Sequence, residues 1–244
     1  MIVQTPCRLC PLRDSGAFSP NTDAEIEFIQ AMLTRQVKVK AGSPILHEGH
    51  DSKELYTLLS GWVFRYGSLY DGRRQIFNFL LPGDFIGLQH QLGQAAPHGV
   101  DALTDVTLCV FPRERMWDLY RNHPALGYDI TWLCAHEEWM VDENLLSVGR
   151  RSAAERIAML LIHLYKRAER IGLVGPEGLP FPLTQQHLAD ALGLSLVHTN
   201  KTLKRLQAAG LYSLIEGRLK LLNPAALARL ADYYARPLRA RPLI

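Results

Sequence analysis

The sequence predicts an α+β fold: an N-terminal β-roll, one long helix, and a C-terminal helix-turn-helix followed by a wing. Three observations carry this expectation. Short apolar runs between Val37 and Phe111 are broken at Gly42, Gly49, Gly61, Gly72, Gly83 and Gly87, a spacing that suits a roll or sandwich. Proline and glycine thin out after Pro124, where Ile130, Glu137 and Asn144 recur every seven residues, interleaved with Cys134, Val141 and Val148. That repeat predicts a long helix with a two-stranded seam. Leu183 to Leu222 reads as helix, tight turn, helix and hairpin.

Residues 1–22 are an irregular segment around Pro6, Pro11 and Pro20 that holds the pair Cys7 and Cys10. Asp23 to Leu33 predicts a short amphipathic helix, with Ile26, Ile29 and Leu33 on one face and Thr22 or Asp23 as its cap. Residues 23–124 are expected to form the roll as a sensor domain, with a hairpin turn at Asp71-Gly72. Its interior is a natural place for a small molecule. Residues 125–149 are the expected dimerisation helix. Ile130, Cys134, Glu137, Val141, Asn144 and Val148 form its seam, while Trp132, Trp139 and Met140 offer a second side to the roll. Gly149-Arg150-Arg151 is the expected hinge into a DNA-binding domain over 150–236. There Ser152 and Glu155 make a capping box, and Ile157, Leu160, Leu161 and Leu164 give the following helix its core face. Pro224 to Tyr234 is a closing helix. Residues 237–244, with Arg239 and Arg241 among prolines, are expected to be a loose tail.

In the helix-turn-helix stretch Thr184 caps the first helix, and Leu188, Ala189 and Leu192 share a face. Gly193 takes the turn, and Ser195 caps a second helix with Val197, Leu203 and Leu206 as its apolar positions. His198, Asn200, Lys201, Lys204, Arg205 and Gln207 remain for solvent, with no acid between Ser195 and Ala209. Cations neutralise phosphates and release counterions, and Asn, Lys, Arg and His also donate to base edges. The pattern points to double-stranded DNA. The candidate contacts are Thr184, Gln185, Ser195, Val197, His198, Asn200, Lys201, Lys204, Arg205 and, on the hairpin, Arg218, with Lys220 beside it.

Composition narrows the class. The 244 residues carry a net charge of +3, with 48% hydrophobic and 21% charged residues, so the chain is not a generally basic coat for nucleic acid. No secretion signal or membrane-spanning run is read, and four cysteines suit the reducing cytoplasm. No nucleophile elbow, phosphate loop or HExxH motif is present, and His136, Glu137 and Glu138 diverge on consecutive helical positions, so an enzyme is not expected. A ligand-binding dimer without DNA binding is the other class weighed, and the acid-free second helix argues against it.

The order roll, long helix, hinge, winged helix-turn-helix resembles the Crp/Fnr family of bacterial transcription regulators, in its Fnr/FixK-like branch. Leu81-Pro82-Gly83-Asp84, Ala154-Glu155-Arg156-Ile157-Ala158 and Leu183-Thr184 through Gly193-Leu194 carry the likeness. It implies a roll similar to the cyclic-nucleotide-binding jelly roll, and a homodimer whose second helices enter successive major grooves of an inverted repeat, with RNA polymerase as a further partner. Many relatives carry Glu, then Ser or Gly, then Arg in that helix. Val197, Asn200 and Lys201 stand there instead, so the family's usual half-site does not transfer.

The resemblance suggests three signals, and no cofactor is assigned. Cyclic nucleotide is disfavoured, because Gly99-Val100-Asp101-Ala102 lacks the phosphate-binding arginine and carries an acid. An iron–sulfur cluster is the alternative reading: Cys7, Cys10 and Cys109 match three of four cysteine ligands in oxygen-sensing relatives, while the third N-terminal one is missing near Gly16 and Asp14 is a poor substitute. Core packing or a redox-sensitive pair is preferred for these cysteines, and packing for Cys134. Haem is disfavoured, since His47, His50, His90 and His98 show no ligand spacing.

Overall fold

The computed structural model describes residues 4–89, 95–234 and 240–244, in two units. The first holds Met1–Ser68, Phe79–Trp139 and Arg239–Ile244; the second holds Leu69–Asn78 and Met140–Leu238.

The glycine-broken runs become β1 (Arg35–Val39), β2 (Pro44–Leu46), β3 (Glu54–Ser60), β4 (Val63–Ser68), β5 (Arg74–Leu80), β6 (Phe85–Ile86), β7 (Gly99–Ala102) and β8 (Val106–Pro112), all in the first unit except the part of β5 up to Asn78. They form two four-stranded sheets, ordered β1-β8-β3-β6 and β2-β7-β4-β5. Pairing is antiparallel, with Val37 opposite Leu108, Leu55 opposite Phe111 and Val63 opposite Ala102. Leu58, Val63, Val100, Val106, Leu108 and Val110 cluster inside the roll. Helix α1 (Asp23–Met32) is capped by Thr22, whose hydroxyl accepts from Glu25 N while Glu25 reaches back to Thr22 N. With α2 (Met116–Asn122) and the first part of α3 (Pro124–Arg150) it builds a second core, where Ile29, Met32, Leu119, Leu126 and Ile130 meet Leu55, Phe85 and Phe111. Helix α2 was not expected. Leu119 is its buried residue, and Trp117 and Tyr120 face solvent, so its sequence shows no apolar stripe.

The end of the chain corrects the expectation of a loose tail. Arg241 bridges Phe18: Ser19 N donates to Arg241 O at 2.8 Å, and Arg241 N to Ala17 O at 3.0 Å. The Arg241 guanidinium lies 4.9 Å from the centre of the Phe18 ring and pairs with buried Asp84. Leu243 and Ile244 are buried, and Ile244 shares a cluster with Cys7 and Ile29. An apolar end and a buried carboxylate for its cation outweigh the irregularity that prolines confer. Residues 237–239, Arg239 among them, and His90 lie outside the described residues. Phe18 also explains Gly83, where a Cβ would sit 2.1 Å from the ring and φ is +88°.

The second unit is built on α4 (Ala153–Arg170), whose N-terminus carries the Ser152–Glu155 capping box. Its face of Ile157, Ala158, Leu161, Leu164 and Ala168 is buried. Against it pack α5 (Gln185–Leu192), α6 (Leu196–Ala208) and α7 (Pro224–Ala231). β9 (Leu179–Pro180), β10 (Tyr212–Ile215) and β11 (Arg218–Leu221) form a small sheet ordered β10-β11-β9.

Helix α3 runs unbroken through Gly149, and the chain leaves it at Arg151 and Ser152, so the break falls two residues beyond Gly149. The expected seam is largely spent inside the chain. Ile130 is in the core, Glu137 pairs with Arg65, Asn144 Nδ2 donates to Phe77 O at 2.6 Å, and a Cβ on Gly193 would lie 3.3 Å from Val148 Cγ1. Only Cys134 and Val141 of the six are exposed. A repeat of seven drifts around a straight helix of 3.6 residues per turn, so the spacing alone does not select the outward face.

Ile244→Ala is expected to destabilise the chain by about 2–4 kcal/mol, the usual cost of truncating a buried aliphatic side chain. Urea unfolding measures it, and an unchanged midpoint would mean that the tail is not part of the core.

Candidate nucleic-acid interface

The reading head is assembled by local hydrogen bonds that its sequence encodes. Thr184 Oγ1 accepts from His187 N at 3.2 Å, and His187 Nδ1 accepts from Thr184 N at 3.2 Å, closing a capping box with histidine in place of the usual acid. Helix α5 ends at Gly193, φ +62°, and Leu194 N donates to Ala189 O at 3.1 Å. Ser195 Oγ accepts from His198 N at 3.2 Å and starts α6. The Cβ space at Gly193 is tight and its φ left-handed, so the turn demands glycine.

Helix α6 buries Thr199, Thr202, Leu203 and Leu206. Both threonines therefore pack through their methyls, as their place in the helix required. Val197 does not join this face: it is 64% exposed, beside exposed Leu196. His198, Lys201, Lys204, Arg205 and Gln207 are also exposed, and Asn200 is half-buried. Thr184, Gln185 and Ser195 are exposed at the two helix starts. Buried Tyr212 supports the helix from below, donating its hydroxyl to Leu203 O at 3.1 Å, and burial pushes its pKa up to about 12. The nearby acid Asp190 is engaged by Arg74, through Nε at 3.2 Å and Nη2 at 2.9 Å. The exposed face of α6 is thus cationic and polar with no carboxylate of its own.

The wing turns at Glu216 and Gly217, with φ of +49° and +71°, the pattern of a tight hairpin. Arg218 is exposed there, while Lys220 is half-buried and pairs with Glu177 at 3.6 Å, which removes it from the cations offered freely. Exposed Leu214 and Ile215 at the same tip escaped the sequence reading, because alternation in so short a strand does not show which face is covered.

Comparison with known proteins fits this geometry. Residues 36–123 match the model of the cyclic nucleotide-binding domain, and residues 155–230 the Crp-like helix-turn-helix domain. A nitrogen fixation regulation protein FixK from Bradyrhizobium diazoefficiens is 32% identical over 226 residues, covering 92% of this chain and 93% of the relative. The chain belongs to the Crp/Fnr family of transcription regulators. A transcriptional activator protein FnrL from Cereibacter sphaeroides is 27% identical, covering 87% of this chain and 85% of the relative. The structure of FixK2 from Bradyrhizobium japonicum superposes with a TM-score of 0.72 at 24% identity, covering 83% of this chain and 98% of that one. The chain is accordingly a DNA-binding regulator of the Crp/Fnr type with an α+β fold, and its relatives are regulators rather than enzymes. Among the described residues no helix is long and apolar enough to cross a membrane.

The residues present do not fit a cyclic nucleotide. Asp84 is committed to Leu81 N at 2.7 Å and to Arg241, and Asp101 accepts from Tyr66 at 3.3 Å. The cleft inside the roll has no room for even a water-sized guest, against the roughly 300–1,000 Å³ of ordinary ligand sites. Two charges line it, Arg65 on β4 and Glu137 on α3, paired at 3.4 Å. Arg65 was missed in the sequence, although it lies two residues from Val63 and so shares its strand face.

The cysteines of the alternative reading do come together. Cys7 lies in the core cluster that Cys109 packs against, and Cys7 and Cys10 stand near enough to Cys109 to raise the pKa of its thiol. Their surroundings do not fit a four-thiolate cluster. Cys109 Sγ accepts from Gln36 Nε2 at 3.5 Å, and among the described residues no group of three or more His, Cys, Asp and Glu side chains is disposed to hold a metal ion. Burial pushes the Cys109 thiol up to about 12 and raises that of Cys7, so both stay protonated at neutral pH. Cys134 is exposed in the single chain. His47 and His50 meet in a tilted contact, with ring centres 5.4 Å apart, and His98 is buried.

Two outcomes are expected. Cys7 and Cys109 resist iodoacetamide at pH 8 in the folded chain and react in denaturant, as peptide mass mapping would show; rapid labelling of Cys109 in the native state contradicts the packing described. Thr199 Oγ1 is buried without a hydrogen-bond partner, so Thr199→Val raises Tm by roughly 2–4 °C through relief of about 1 kcal/mol.

Proposed function

We propose that two copies of this chain pair along α3 and read an inverted repeat in double-stranded DNA, with α6 of each copy in successive major grooves about 34–36 Å apart. The observation that carries the reading is the exposed, carboxylate-free face of α6. Val197, His198, Asn200 and Lys201 lie toward the start of α6 and face base edges. Thr184, Gln185, Ser195, Lys204, Arg205 and Arg218 hold the phosphates. Lysine at position 201 lacks the bidentate fork of arginine, so the half-site differs from that of relatives with arginine there.

The pairing face is supported by what α3 leaves exposed. Tyr128, Cys134, Val141 and Leu145 lie on its outer side, with Tyr128 71% and Leu145 70% exposed. Apolar side chains of that size at near-heptad spacing suit a second copy of the same helix. Such a dimer, placed in the cytoplasm, would meet RNA polymerase beside its site.

Binding to a selected duplex and to random DNA, across salt, tests the assignment. Lys201→Ala is expected to cost about 1–3 kcal/mol on the selected site and to relax its sequence preference. Arg218→Ala weakens both duplexes alike and lowers the salt slope by about one. Equal losses from both variants on both duplexes sink the base-reading role of Lys201.

A further inference from the structure

The roll of this chain has a charged interior. Arg65 and Glu137 are both buried, at 5% and 9% exposure. Their contact is single and long, Nη2 to Oε2 at 3.4 Å, where a charge-assisted pair settles at about 2.7–2.9 Å and arginine offers a two-pronged fork. Arg65 Nε is buried with no hydrogen-bond partner. Leu80, Phe85, Ile86, Gly87, Gln89 and Val100 surround the pair. A buried guanidinium with an unused donor is an anion acceptor whose hydrogen-bonding capacity is only partly filled.

We propose that Arg65 is the anion-accepting residue of the roll and that Glu137, delivered by α3, occupies it as a tethered carboxylate ligand. The chain thereby supplies from its own helix the charge that a diffusible effector would bring. Holding Glu137 to β4 fixes the part of α3 that carries the exposed pairing face, without an added molecule. Occupancy of Arg65 stands on its own geometry; only its consequence for DNA rests on the reading of the chain as a dimeric regulator.

The test compares the wild-type chain, Glu137→Ala, and the apolar double variant Arg65→Leu/Glu137→Met, melted in sodium acetate and in sodium chloride at equal ionic strength. The double variant removes both charges and keeps the volume filled, so it reports on folding without the ion pair. In Glu137→Ala, acetate is expected to enter beside Arg65 and raise Tm saturably by roughly 2–4 °C over chloride, while the wild type and the double variant show no difference between the salts. Duplex binding by Glu137→Ala falls about tenfold in chloride, one pKa-unit's worth of coupling, and returns in acetate. Three results overturn the proposal: a folded Glu137→Ala indifferent to acetate; a Glu137→Ala that fails to fold in acetate where the double variant folds; or a wild type that responds to acetate as strongly as the variant. A wild type that binds no duplex, with the acetate response of Glu137→Ala intact, sinks the DNA reading and leaves the anion site standing.

Discussion

A charge taken out of water has to be met, and the first unit is arranged around one such demand. Arg65 sits on β4 inside the roll, beside Leu80, Phe85, Ile86 and Val100. Alone there, its guanidinium would cost several kcal/mol; the carboxylate of Glu137 lowers that cost, and burial still drags the Arg65 pKa below its ordinary value. The pairing constrains α3, because Glu137 reaches β4 only if that side of the helix faces inward. Ile130 and Leu133 then fall in the core, and Tyr128, Cys134, Val141 and Leu145 are left to solvent.

The same logic recurs at the end of the chain. Asp84 is 3% exposed in the turn before β6, and Arg241 meets it while stacking on Phe18. The glycine before it gives the Phe18 ring its room. Asp84 therefore serves the architecture of the roll. A domain that matches the cyclic nucleotide-binding model has turned its polar positions inward on the chain itself.

The reading head follows a different rule. Its helix starts, its turn glycine and its buried face depend on neighbours within a few residues, so each was visible in the sequence: Thr184, Gly193 and Ser195 stand where they were expected. Val197 is the exception. Spacing alone placed it with Leu203 and Leu206, but it sits in the first turn of α6, beyond the reach of α4, and points to solvent. Lys220 is the other, because Glu177 is distant in sequence and nothing local announces the pair.

By itself the sequence determined the run of short strands broken by glycine, the capping box at Ser152, the caps at Thr22 and Thr184, the long α3 and the cationic face of α6, since caps, turns and amphipathic periods are short-range properties of a chain. Only the tertiary structure decided which side of α3 is inward, that residues 242–244 are buried, and that three cysteines from the two ends of the roll approach one another. Each of these turns on a partner dozens of residues away or more: Arg65 for Glu137, Asp84 for Arg241, Gln36 for Cys109. A seven-residue repeat is compatible with several helix rotations, and a proline-rich tail with several paths; the burial of one charge or one apolar end selects among them.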